Sequence, residues 1–211
     1  MGMLMGKISE EMPAFTVLHK AVSYEVRKYG PSVVAECSYG PGGWEASDGG
    51  SPFGALARYI GVFGKAQNEQ KGASEAIAMT APVLVTPPAS QKIAMTAPVL
   101  VTSESNTMAF VLPASKYTTV EQAPTPTDPR VTLRQLPERV QAVRTFTWSF
   151  KPEAAKTQLQ LLLADLAKDE WTVVMRDGGE AVEWQAAGYN PPFTLPFLKT
   201  NEVLVSVQPK A

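Results

Sequence analysis

Large apolar and charged residues alternate along Tyr24-Glu25-Val26-Arg27-Lys28-Tyr29, the period-two pattern of a strand with one buried face. Gly30-Pro31 turns the chain, and Ser32-Val33-Val34-Ala35-Glu36-Cys37 predicts a second strand. Residues 40–50 carry five glycines and a proline and read as loop. Ser51-Pro52 then supplies an N-cap followed by proline at the first helical position. Phe53, Leu56, Ala57 and Ile60 recur at i, i+3, i+4 and i+7, so one apolar helix face follows, which Gly61 or Gly64 ends.

The theme returns after the Pro-rich connector Ala123-Pro124-Thr125-Pro126-Thr127-Asp128-Pro129. Val131-Thr132-Leu133-Arg134 and Val140 to Phe146 predict strands on either side of Pro137-Glu138-Arg139. A helix is expected from about Pro152 to Lys168, with Ala155, Leu159, Leu162, Leu163 and Leu166 on one stripe. Trp171–Met175, Ala181–Gln185 and Val203–Val207 predict further strands. Each half, about 13–122 and 130–208, thus reads strand, strand, helix, strands. With strand pairs dominant and only two one-faced helices, the expected fold is α+β: an antiparallel sheet covered from outside by both helices.

Ile77-Ala78-Met79-Thr80-Ala81-Pro82-Val83-Leu84-Val85-Thr86 recurs letter for letter as residues 93–102. That spacing is too short for solenoid units. The two copies can form a hairpin through an odd-length loop, or one copy can bulge out as a spare loop. Their prolines suit an edge or a bulge.

Composition narrows the chemistry. The 211 residues are 45% apolar and 18% charged, which excludes wholesale disorder. A net charge of −1 lacks the basic footprint of a nucleic-acid partner. One cysteine, Cys37, and one histidine, His19, exclude a disulfide framework and multi-ligand zinc or iron–sulfur sites. No stretch has the length of a membrane span, and the N-terminus lacks a signal-peptide core, so a reducing, cytoplasmic setting is expected. The glycine clusters match neither dinucleotide nor phosphate-loop patterns. Cys37, in a strand, reads as an inert thiol, and Asp169-Glu170 as a solvated helix end. What remains is apolar and aromatic, with Met79, Met95 and Met108 in the region after the first helix, Arg58 beside its apolar face, and Lys199 near the C-terminus.

Four segments in order carry a resemblance: Tyr24 to Tyr29; Ala57-Arg58-Tyr59-Ile60-Gly61-Val62-Phe63-Gly64 leading to Ile77-Ala78-Met79-Thr80-Ala81-Pro82-Val83; Pro126 to Val131; and Gly188-Tyr189-Asn190-Pro191-Pro192-Phe193-Thr194-Leu195-Pro196-Phe197-Leu198-Lys199-Thr200-Asn201-Glu202-Val203. From about Pro13 to Val207 the chain is similar to the SOUL heme-binding protein family, and the doubled motif resembles its plant and green-algal cytosolic branch. The resemblance implies a distorted antiparallel β-barrel flanked by two helices. It also implies non-catalytic binding of heme and other protoporphyrin-type tetrapyrroles in an apolar groove beside the first helix. Carried over by position, the groove takes Phe53, Leu56, Ala57, Arg58, Ile60, Met79, Phe193, Phe197 and Lys199. Lys199 stands where relatives often carry Arg and loses the bidentate fork toward a propionate. His19 lies outside the matching segments and is the one imidazole available to the iron. Because the helix stripe must also dock on the sheet, Phe53 and Ala57 are expected at the groove edge with Arg58 at its rim. Two alternatives stand beside this reading. One is an enzyme removing iron from the tetrapyrrole, with Glu25, Asp48 or Tyr59 as proton donor. The other is a module for other hydrophobic ligands or for a protein partner.

Overall fold

The computed structural model describes residues 7–40, 44, 51–87, 106–176, 181–191 and 193–210. In chain order the first half holds β1 (Phe15–Lys20), β2 (Glu25–Tyr29), β3 (Ser32–Ser38), α1 (Pro52–Ile60), β4 (Asn68–Glu69), β5 (Val83–Thr86) and β6 (Thr107–Val111). There follow β7 (Thr125–Pro126), β8 (Val131–Leu136), β9 (Arg139–Phe146), α2 (Pro152–Leu166) and β10 (Trp171–Val173). The chain ends with β11 (Met175–Arg176), β12 (Ala181–Val182), β13 (Trp184–Gly188) and β14 (Asn201–Pro209). One antiparallel sheet runs β1-β2-β9-β14-β13-β5-β6-β3-β8, with β10 on the far stretch of β14. The expected α+β architecture, an antiparallel sheet curled into a distorted half-barrel with two helices, is the one formed.

Local chemistry sets α1 as its sequence predicts. The Ser51 hydroxyl accepts from the Gly54 N–H at 3.2 Å, and Pro52 occupies the first turn. Gly61 closes the helix at φ 90°, a left-handed conformation that a Cβ would strain. Ala55, Leu56, Ala57, Tyr59 and Ile60 are all buried against β3, β6 and β8. On α2 the stripe Ala155, Leu159, Leu162 and Leu166 is buried against β9, β14 and β10.

Asp165 ties α2 to the sheet, accepting from the Ser23 hydroxyl at 2.6 Å and pairing with Arg144 at 3.0 Å. The Ser23 bond and the Arg144 and Lys168 charges hold its carboxyl below the usual range. A depressed folded-state pKa gives stability that is present above the unfolded value and is lost as pH falls through the folded one. Asp165→Asn should therefore melt below the wild type near neutrality. The gap should close as pH drops below about 4, which thermal melts across pH will check.

Several details depart from the sequence pattern. β1 is not picked out by pattern: its side chains are mostly exposed and its register with β2 shifts between Val17 and His19, so it shows no alternation. Trp171–Met175 divides between β10 and β11, Ala181–Gln185 divides at Glu183, and α2 ends at Leu166. β2 and β3 flank a turn yet do not pair with each other, and neither do β8 and β9. Within the first repeat copy, β5 pairs with β6 on one edge and β13 on the other. The second copy, including Met95, lies outside the described residues, as does Asp48.

One charged position of β2 does not meet solvent. Arg27 is 8% exposed and sits on the helix-free face with Tyr29, beside Val34, Leu84, Val143 and Leu204. Its third- and ninth-place strands, β9 and β8, line one cavity, so the sheet folds that face inward.

Candidate functional site

Between the footprints of the two helices run β5 and β13, the middle strands of the sheet. Toward the helix side they show Val83, Val85, Ala186 and Gly188, with Val83 paired to Gly188 and Gly188 to Asn201. An aromatic seam fills this strip. On the α1 side the Phe53 ring stands edge-on to Phe110 at 5.4 Å, and Phe110 is the ladder partner of Val83. Phe150 lies over Gly188, where a Cβ would come within 3.2 Å of its ring. Trp44 packs on Phe150 at 5.9 Å and donates its indole N–H to the Phe150 carbonyl at 3.2 Å. Gly188 is required by this close approach, not by its own φ.

Where Gly188 leads into Asn201, the seam opens to solvent. Phe193, Leu195 and Phe197 are exposed there, and Trp148 lies 6.5 Å from Phe197. Trp148 has φ 75°, a conformation disfavoured for a bulky residue. Its N–H donates to the Pro196 carbonyl at 2.8 Å, and its carbonyl accepts from the Asn201 amide at 3.4 Å. The backbone is thus clamped in an unfavourable state while the indole stays 61% exposed. Trp148 and Phe197 thus form an exposed aromatic pair on a clamped backbone.

The family-derived positions fall into three groups. Leu56, Ala57 and Ile60 are fully or almost fully buried and dock α1 on the sheet, whereas Phe53 and Arg58 retain access. The Arg58 guanidinium folds back along the helix toward Gly54 and Ser51. Phe197 lies within a short 3-10 turn at Pro196–Leu198, next to Trp148, with Lys199 directly after the turn and Phe193 shortly before it. Met79 is exposed on the segment that leaves α1, tied by the Ile77 N–H to the Ile60 carbonyl at 3.0 Å, and leads into Val83. His19 is elsewhere: on β1 its ring lies 6.0 Å from Tyr24 and 6.3 Å from Trp171, on the α2 side.

Of the proton-donor candidates, Tyr59 is wholly buried and donates to the Pro124 carbonyl at 2.8 Å. Burial raises its hydroxyl pKa well above the ordinary phenol. Glu25 is held by Arg27 and Lys20, away from the seam. Cys37 is buried, and burial pushes its thiol up, away from reactivity. Trp44, Trp148 and Phe150 were not predictable as site residues from periodicity. Their only sequence signal is that aromatics at 148 and 150 stand in a connector outside any apolar repeat.

No curated protein sequence matches the chain. Among solved structures, a hydrolase encoded by lin2189 from Listeria innocua aligns at TM-score 0.54 and 10% identity, over 88% of this chain and 92% of that one. A second hydrolase from Listeria innocua aligns at TM-score 0.51 and 10% identity, over 90% and 94%. EcmrR in its complex with DNA aligns at TM-score 0.52 and 8% identity, over 89% of this chain and 57% of that one. At such identities these likenesses describe the fold alone. The family model of the SOUL heme-binding protein matches residues 10–206, almost the full length. The chain therefore belongs to the SOUL heme-binding protein family.

Proposed function

We propose that the protein is a non-catalytic carrier or buffer of heme and other protoporphyrin-type tetrapyrroles, held on the open end of the aromatic seam beside α1. The observation that carries this reading is the exposed set Trp148, Phe193 and Phe197, with Trp148 clamped at positive φ. These residues fit a flat apolar macrocycle, and in this reading Arg58 on α1 and Lys199 after the Pro196–Leu198 turn would supply cations to its propionates. Each aromatic ring offers a rigid apolar face. Covering about 300 Å² of macrocycle at ~25 cal/mol per Å² is worth roughly 7 kcal/mol before the costs of association. That burial offsets much of the association cost without a bond to iron.

His19 supports the same view by its position, set against Tyr24 and Trp171 while α1 packs on β3, β6 and β8. The chain's single thiol is the cysteine usage of a reducing compartment, and we place the activity in the cytoplasm.

Metal-free protoporphyrin is expected to bind within about threefold of heme, less than 1 kcal/mol apart. Quenching of tryptophan fluorescence during parallel titrations measures both. A metal-free macrocycle that binds more than about tenfold more weakly would move the affinity onto the iron and overturn the reading.

A further inference from the structure

Two connectors meet at the first residue of β14. One runs from the end of β9 to α2 and carries Trp148, and the other joins β13 to β14 and carries Phe193 and Phe197. The second is closed at its neck. There the Thr200 N–H donates to the Asn190 Oδ1 at 2.6 Å, and the Tyr189 N–H donates to the Thr200 carbonyl at 3.2 Å. Within it the Pro196 carbonyl accepts from the Lys199 N–H at 3.2 Å and, across the junction, from the Trp148 N–H at 2.8 Å. Asn201 stands where the two connectors touch. Its backbone pairs with Phe146 on one side and Gly188 on the other. Its side chain is 2% exposed and donates from Nδ2 to the Trp148 carbonyl at 3.4 Å.

A left-handed backbone at a bulky residue costs free energy and persists where its surroundings over-determine it. Trp148, at φ 75°, stays 61% exposed, so burial of its own ring offsets little of that cost. Two bonds hold the residue instead, one at its N–H and one at its carbonyl, and only the Asn201 bond comes from a side chain. A relaxed backbone at this position has negative φ, and the rotation needed to reach it would swing the indole away from Phe197. Asn201 is itself locked between two strands, so it can act as a fixed point for the loop.

We infer that Asn201 is a positioning residue for the tetrapyrrole surface: without touching the ligand, it holds Trp148 in the conformation that sets the indole beside Phe197. The inference rests on the proposed seat of the macrocycle. A pair arranged before the ligand arrives spares binding the cost of ordering it.

The test titrates metal-free protoporphyrin, followed by its own absorption, against the unaltered protein, Asn201→Leu, Trp148→Ala and the double variant. Leucine is close to asparagine in volume and has no donor. Asn201→Leu is expected to weaken binding about five- to tenfold alone, and less than about twofold when Trp148 is already alanine. A loss of equal size in both backgrounds, or no loss in either, overturns the inference and leaves the tetrapyrrole seat standing. A Trp148→Ala protein that binds as the unaltered one does overturns both together. Nitrogen-15 relaxation of the unaltered protein adds a check that needs no folded variant. Backbone order parameters at Trp148 and Phe197 are expected near about 0.85, the rigid value, and values below about 0.6 overturn the inference.

Discussion

Replacing Arg27 with methionine is expected to cost about 3–5 kcal/mol of folding stability, the penalty for removing one partner of a buried ion pair. The side chain keeps its apolar stem in this change and loses only its charge and donors. Arg27 meets Glu202, which is 4% exposed, at 2.9 Å, meets Glu25 at 3.0 Å, and stands over the Phe15 ring at 4.4 Å. Glu202 also accepts from the Tyr189 hydroxyl at 2.5 Å and from Thr145 at 3.3 Å. Those neutral donors cannot replace a cation, so the variant leaves a desolvated carboxylate. Glu202→Gln should cost less, because Arg27 still has Glu25 and the Tyr29 hydroxyl. The double variant should cost clearly less than the two single costs summed, since each single change strands the other's partner. Urea titrations of the four proteins give the cycle. A loss below about 1 kcal/mol in Arg27→Met would show instead that the cluster is screened like a surface pair.

That cluster marks where the sequence stops being readable. The alternation of apolar and charged residues from Tyr24 to Lys28 identifies β2, and the stripe from Phe53 to Ile60 with its Ser51-Pro52 start identifies α1. Both signals are local, because a cap or a period of two or 3.6 is written in neighbouring residues. Which strands pair is not written there. β2 leaves Gly30-Pro31 without pairing with β3, since the sheet curls and each joins a different part of it. A polar position in an alternating strand reads as solvent-facing, but curling turned that face inward and made Arg27 and Gln141 interior residues. The site shows the same division. α1 and the segment from Phe193 to Lys199 are recognisable by motif. The part played by Leu56, Ala57 and Ile60 depends on what α1 packs against, and they are buried beneath it. Trp148 and Phe150 belong to the seam only because the end of β9 meets Asn201 of β14.

Phe197→Asp should weaken tetrapyrrole binding by about 30- to 150-fold, roughly 2–3 kcal/mol, with little change in melting temperature. The stability half of this expectation follows from exposure: the ring is 54% accessible and its aromatic neighbour is the equally open Trp148. Little burial is lost from the folded chain, and surface changes of this kind stay near ±0.5 kcal/mol. The binding half follows from what a carboxylate meets under a macrocycle. One ring face is lost, a charge must be dried, and under the proposed function the new anion would repel the propionates of the macrocycle. Phe197→Leu separates these contributions, since it keeps an apolar contact without a ring, and should lose only a few-fold. His19→Ala provides the opposite control, because its ring packs on Tyr24 and Trp171 and should leave the heme absorption spectrum unchanged. Titrations of heme and of metal-free protoporphyrin against all three variants check the set. If Phe197→Asp binds both as the unaltered protein does, while His19→Ala loses heme alone, the ligand lies by β1 and the aromatic seam is not its seat.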